Sequence, residues 1–237
     1  MPYRCEATSA EAVVQLIAAN YLRHGYYWYV TGSIPQRKEP TEIDRKLIAK
    51  YEIDISPWQR SHRKKRGIAN AQYLRLGRWF ILMVTEGHHR LKAPVAQGGE
   101  KEQLRDCRRN PIRLAGYSIS YRRAGVTAKG ATMPKWHAHV RIDAATYRQM
   151  TDHFLGIACH RSPENLAGEL GQIPYARYAP IRRQLLTLLR KVNDARARMG
   201  YQPIPHSALR LRRQPVTVYA TTPLAPSASA LPGSDPG

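Results

Sequence analysis

Residues 71–85 read Ala71-Gln72-Tyr73-Leu74-Arg75-Leu76-Gly77-Arg78-Trp79-Phe80-Ile81-Leu82-Met83-Val84-Thr85. Two strand-like runs, Ala71 to Leu76 and Trp79 to Thr85, flank Gly77-Arg78. A glycine-first pair suits the two-residue type II′ turn, so the stretch predicts a β-hairpin. Upstream, Tyr26-Tyr27-Trp28-Tyr29-Val30-Thr31 is aromatic and β-branched with no polar face, which predicts a strand near the middle of a sheet. Downstream, Ile112 to Arg122 and Trp136 to Ile142 predict two more strands, separated by a basic loop from Arg123 to Lys135. Pro94 to Glu102 is polar, contains Gly98-Gly99 and reads as a loop.

Helices bracket these strands. Ser9 is placed to cap a helix reaching about Arg23, with Val13, Leu16, Ile17 and Tyr21 at helical spacing and Gly25 as its stop. Thr41 is expected to cap a second helix through Tyr51, and Ser56-Pro57 to open a third. Asp143 caps a helix to about Ile157, Ser162-Pro163-Glu164 opens another to about Leu170, and Pro180 sits near the start of a long one ending at Met199. In that last helix Tyr178, Ile181, Leu185, Leu188, Val192 and Ala195 form a core stripe, with Arg182, Arg183, Arg190, Arg196 and Arg198 off it. The pattern is an α+β chain with roughly five mainly antiparallel strands and segregated helices, not a βαβ alternation. It divides into an α+β domain over 1–160, a helical extension packed on it over 161–220 and a disordered Pro/Ser/Ala/Gly tail over 221–237.

Composition narrows the partner. The 237 residues carry 38 Lys plus Arg against 17 Asp plus Glu, a formal net charge of +21. Self-repulsion of that size is tolerated when a polyanion neutralises it, which points to nucleic acid, DNA or RNA. No apolar run approaches the roughly 20 residues of a membrane span, and the N-terminus lacks a charged region leading into an apolar one, so neither membrane nor export is expected. Three widely spaced cysteines, Cys5, Cys107 and Cys159, suit a reducing cytoplasm. The phosphate loop GxxxxGK[ST], the dinucleotide motif GxGxxG, HExxH and GxSxG are all missing.

The sharpest constellation is Trp136-His137-Ala138-His139-Val140-Arg141-Ile142. Alternation sends His137, His139 and Arg141 to one face of a strand, where two imidazoles can share a divalent metal or can contact phosphate. Basic residues elsewhere predict phosphate contacts: Arg60, Arg63, Lys64, Lys65 and Arg66 with Trp58 and His62 for stacking, then Arg122, Arg123, Arg182, Arg183, Arg210, Arg212 and Arg213.

A hydrophobic residue between two histidines on a strand of an antiparallel sheet resembles the HUH endonucleases, the family of replication initiators, relaxases and single-strand transposases. The resemblance implies a metal-dependent nickase of single-stranded DNA, of the kind carried by mobile elements. His137 and His139 would hold Mg²⁺ or Mn²⁺, with Glu86 or His88 as third ligand, and a helix tyrosine would attack the scissile phosphate. Tyr175 and Tyr178, at the start of the long basic helix, are the candidate nucleophiles, with Tyr147 a third. The alternative is a non-catalytic DNA- or RNA-binding regulator or ribonucleoprotein partner, in which the histidines contact phosphate.

Overall fold

The structure, a computed structural model, describes residues 3–94, 103–123 and 136–219. The chain is α+β, with antiparallel strand pairing throughout its two sheets and a long C-terminal helix. The hairpin expected around Gly77-Arg78 is present: β2 (Ala71–Leu76) pairs with β3 (Trp79–Val84), and Gly77 takes the positive φ that its turn requires. The upstream strand β1 (Trp28–Ser33) pairs with β3 on one side and the two-residue β4 (Arg105–Asp106) on the other, giving the order β2-β3-β1-β4.

The described residues form seven strands where five were expected, because β4 was not anticipated and the run from Ile112 to Arg122 folds back on itself into two. Ala115 and Gly116 both adopt positive φ, 45° and 77°, and so turn β5 (Ile112–Leu114) into β6 (Tyr117–Arg123). β6 then pairs with β7 (Trp136–Ile142) to give a second sheet, β5-β6-β7. One residue joins the sheets: Cys107 donates its N–H to the Tyr27 carbonyl (2.9 Å) and its carbonyl accepts from Tyr121 N–H (3.3 Å). Predictions for the loop from Pro94, for the basic loop before Trp136 and for the tail concern segments that lie largely or wholly outside the described residues.

The four-stranded sheet is buried on both faces, which is why Ile81 to Val84 is apolar without alternation. One face places Tyr29, Leu74, Ile81 and Met83 against Val13, Ile17 and Leu22. The other places Ala71, Tyr73, Leu82 and Val84 against Tyr51, Ile53 and Leu91. The three-stranded sheet buries only one face: Tyr117, Ile119, Val140 and Ile142 join the first core, each fully buried aliphatic side chain contributing about 1.5–3 kcal/mol. Its other face is polar.

Helix starts follow the capping residues with one exception. Ser9 caps α1 (Ala10–Leu16), which continues through a π turn over Ile17–Tyr21 to Gly25. The second helix, α2 (Pro40–Lys50), begins one residue before Thr41, because Pro40 occupies its first turn after an extended Glu39. Ser56 and Gln59 form a reciprocal capping box on α3 (Pro57–Lys65). Asp143 caps α4 (Ala144–Ile157), Ser162 caps α5 (Pro163–Gly171), and α6 (Ala179–Arg198) completes the set.

Arg196 is 2% exposed and lies inside the fold, against the expectation that it stays off the core stripe. Its guanidinium donates to the carbonyls of Ala158 (2.6 Å), Arg161 (3.2 Å) and Gln202 (2.7 Å), so it closes the C-terminal end of α4, where the helix dipole favours a cation. Another buried charge cluster is Arg75 with Asp44, 3.0 Å apart; Tyr73 donates its hydroxyl to the same carboxylate (2.6 Å).

Candidate nucleic-acid interface

The polar face of β5-β6-β7 is assembled by strand register. Ser118 lies opposite Arg141, Ser120 opposite His139 and Arg122 opposite His137, so all six side chains share one face. Arg113 joins from β5, opposite Ser118, and sits 3.4 Å from Asp143, the only carboxylate paired on this face among the described residues. The two serines are buried beneath longer neighbours, and Arg122 donates through Nε to Ser120 Oγ (3.0 Å). Arg113, Arg122 and His137 are exposed; His139 and Arg141 are half-buried.

The histidine rings are 6.4 Å apart, edge to face. His139 Nδ1 is buried without a hydrogen-bond partner. Burial holds the His139 pKa below the ordinary imidazole value, and Arg122, His137, Arg141 and Arg183 push it in the same direction. Arg183 reaches this site from α6, which lies along the β7 edge.

Among the described residues the donor set is short of a complete divalent-cation site. Two imidazoles supply two ligands, and no group of three or more His, Cys, Asp or Glu is positioned to hold a metal among the described residues. Three arginines repel a cation there and attract a phosphate. Of the expected third ligands, Glu86 pairs with Arg108 (2.9 Å) and Lys92 (3.5 Å), and the exposed His88 lies in the loop after β3, its backbone bridged to Ile68.

Neither expected tyrosine is brought to the histidines. Tyr175 packs edge-on against Tyr117 and lies directly on Gly116, on the core face and three residues of β6, about 10 Å, from the His139 level. Tyr178 carries the Arg213 guanidinium over its ring (4.4 Å), and its hydroxyl is buried without a partner. Tyr147 donates to the Gln184 carbonyl (2.9 Å) between α4 and α6.

The basic residues of α3 divide into two sets. Arg60 turns inward and donates to the Ile53 and Ala71 carbonyls and to Tyr26 (2.6, 3.2 and 3.2 Å), while Arg63 pairs with Glu52; these hold the fold. Lys64, Lys65 and Arg66 remain exposed, beside Trp58, which is 72% exposed and stacked on His62 at 5.4 Å. Arg182, Arg183, Arg210, Arg212 and Arg213 are exposed as expected. Arg210 and Arg212 line a recess of about 190 Å³ with Glu11 and the buried Arg177, whose guanidinium donates to the carbonyls of Tyr175 and Arg210.

A row of rings that crosses the joint between the sheets had no sign in the sequence. Arg108 lies 4.8 Å over Tyr27, Tyr27 stacks on Tyr121 at 4.8 Å, and Tyr121 stacks on Trp136 at 5.7 Å, with ring planes within 23°. Alternation could have put Tyr121 and Trp136 on one face, but their meeting with Tyr27 depends on the contact through Cys107. Comparison with protein-family models, curated proteins and solved structures finds no match for this chain.

Proposed function

We propose that this protein binds nucleic acid through the polar face of β5-β6-β7, with DNA as the favoured form and the cytoplasm as the site of action. One observation carries the reading: register gathers Arg113, Arg122, Arg141, His137 and His139 on one sheet face, with Arg183 beside them. Arginine forks over small serines fit phosphate oxygens, and an open sheet face fits an extended polymer. The exposed residues of α3 and the Arg210 to Arg213 segment extend the positive surface. The described residues contain no helix long and apolar enough to cross a membrane.

Fluorescence anisotropy with labelled DNA over a salt series tests this. Affinity is expected to fall steeply with salt, and Arg122→Ala/Arg141→Ala to reduce the slope by about two, one unit for each phosphate contact removed. Binding that ignores salt, or a double variant with the wild-type slope, refutes the assignment.

A second reading, metal-dependent nicking of single-stranded DNA, has one observation in its favour: the buried, unpartnered Nδ1 of His139 beside His137. Its test is a covalent protein–DNA adduct in Mg²⁺ or Mn²⁺ that disappears in His137→Ala/His139→Ala. If binding persists and no adduct forms on varied single strands, the non-catalytic reading stands.

A further inference from the structure

We infer that Trp136 is the open end of a stacking column that takes an unpaired nucleobase, which makes single-stranded nucleic acid the preferred ligand. The inference rests on the nucleic-acid reading above and adds the form of the strand. The column runs across the sheets in spatial order: the Arg108 guanidinium, then Tyr27 beside β1, Tyr121 on β6 and Trp136 on β7. Each inner member has two such neighbours: Tyr27 has Arg108 and Tyr121, and Tyr121 has Tyr27 and Trp136. Trp136 has one ring neighbour among the described residues, and β7 is the last strand of its sheet.

Exposure agrees with this order. Trp136 is 43% exposed, whereas Tyr27 and Tyr121 pack partly against the core. A large indole held parallel to a built stack, with part of its surface in water, has little to gain from the fold and much to gain from another flat ring. An incoming base would extend the column by one member. Aromatic stacking of this kind tolerates any base, because every base presents a π face. Bases in a duplex are already stacked and cannot reach the indole.

Charge selects a nucleotide over an uncharged aromatic ligand. Arg123 lies directly opposite Trp136 in the β6-β7 ladder, on the same face and exposed, so its backbone sits one strand spacing from that of Trp136 and its side chain leaves the ladder on the side of the indole. The adjacent pair, Arg122 opposite His137, points to the other face. A strand passing over the end of β7 therefore meets a base platform with a cation on the one side and the phosphate-binding face on the other.

The test compares wild type, Trp136→Ala and Trp136→Phe for binding to a thymine oligonucleotide, to the same length carrying abasic sites, and to a duplex. Trp136→Ala is expected to weaken thymine binding about tenfold, within the range of one lost stack, and Trp136→Phe to recover most of it. Wild type on the abasic strand should match Trp136→Ala on thymine, and duplex affinity should not change. Thermal melting of both variants within a few degrees of wild type checks that the fold is kept. Equal losses on thymine, abasic strand and duplex, or no loss on any, overturn the stacking assignment while leaving phosphate binding in place. Absence of wild-type binding to all three overturns the underlying reading and this inference with it.

Discussion

Gln184 forms two hydrogen bonds with the backbone of Ile142: its carbonyl accepts the Ile142 N–H (2.9 Å) and its amide donates to the Ile142 carbonyl (3.1 Å). One helix side chain thus mimics a neighbouring strand and closes the end of the exposed β7 edge. The same contact fixes the rotation of α6 that puts Arg182 and Arg183 in solvent. Gln184→Ala leaves a buried N–H and C=O unpaired and should cost about 1–3 kcal/mol in urea unfolding. Gln184→Glu keeps an acceptor for the N–H but sets a carboxylate against the carbonyl, and should not restore stability.

Acidification should strengthen binding and weaken the fold in the same pH range. His139 and His89 both titrate below the ordinary imidazole value, burial being the main cause in each. A lowered native pKa means that the unfolded chain binds more protons at pH values just below about 6.5, so stability is full above that value and declines as pH falls toward the native pKa. A phosphate over the face stabilises protonated His139, so affinity should rise from pH 7.5 to 6. Anisotropy titrations at fixed ionic strength check this, and His137→Asn/His139→Asn should flatten the rise.

The β5-β6 turn should respond in opposite directions to two small changes. Ala115 sits at φ 45°, a left-handed conformation that costs an alanine about 1–2 kcal/mol, so Ala115→Gly is expected to stabilise the protein by up to about 1 kcal/mol. Gly116→Ala meets both the positive φ and the Tyr175 ring, and should destabilise by more than about 2 kcal/mol. Chemical denaturation of both variants measures the pair.

Two thiols should be slow to react in the folded protein. Burial, reinforced by Asp44, pushes Cys5 up to about 12, and burial, reinforced by Asp106, pushes Cys107 to about 12. Native iodoacetamide labelling at pH 8, read by mass spectrometry, should therefore leave both largely unmodified, with full labelling after unfolding. Rapid native alkylation of Cys107 would contradict its burial at the joint between the sheets.

The hairpin at Gly77-Arg78, the caps at Ser9, Ser56, Asp143 and Ser162, and the core stripe of α6 were legible because each depends on a few neighbouring residues. Pro40 starting α2 ahead of Thr41 was a local rule outweighed by another. The Ala115-Gly116 reversal was hidden because alanine is a poor signal for positive φ. The shared face of His137, His139 and Arg141 followed from alternation, whereas the positions of Glu86, His88, Tyr175 and Tyr178 relative to it depended on sheet order and on which face each loop covers. Charge patterning had the same limit: Arg60 and Arg63 differ from Lys64, Lys65 and Arg66 only in the direction a helix turn gives them.

Arg60, Arg177 and Arg196 are anchored to main-chain carbonyls, an acceptor that no pH removes. In a chain with 17 acidic side chains for 38 basic ones, this lets arginine serve as internal mortar without drawing on the scarce anions. The practical consequence is a separation of sensitivities. On the proposed function, concentrated salt competes with exposed guanidinium groups for phosphate and should strip any bound nucleic acid from the surface, while the carbonyl-bound arginines, shielded from solution ions, keep the scaffold intact for recovery of the bare protein.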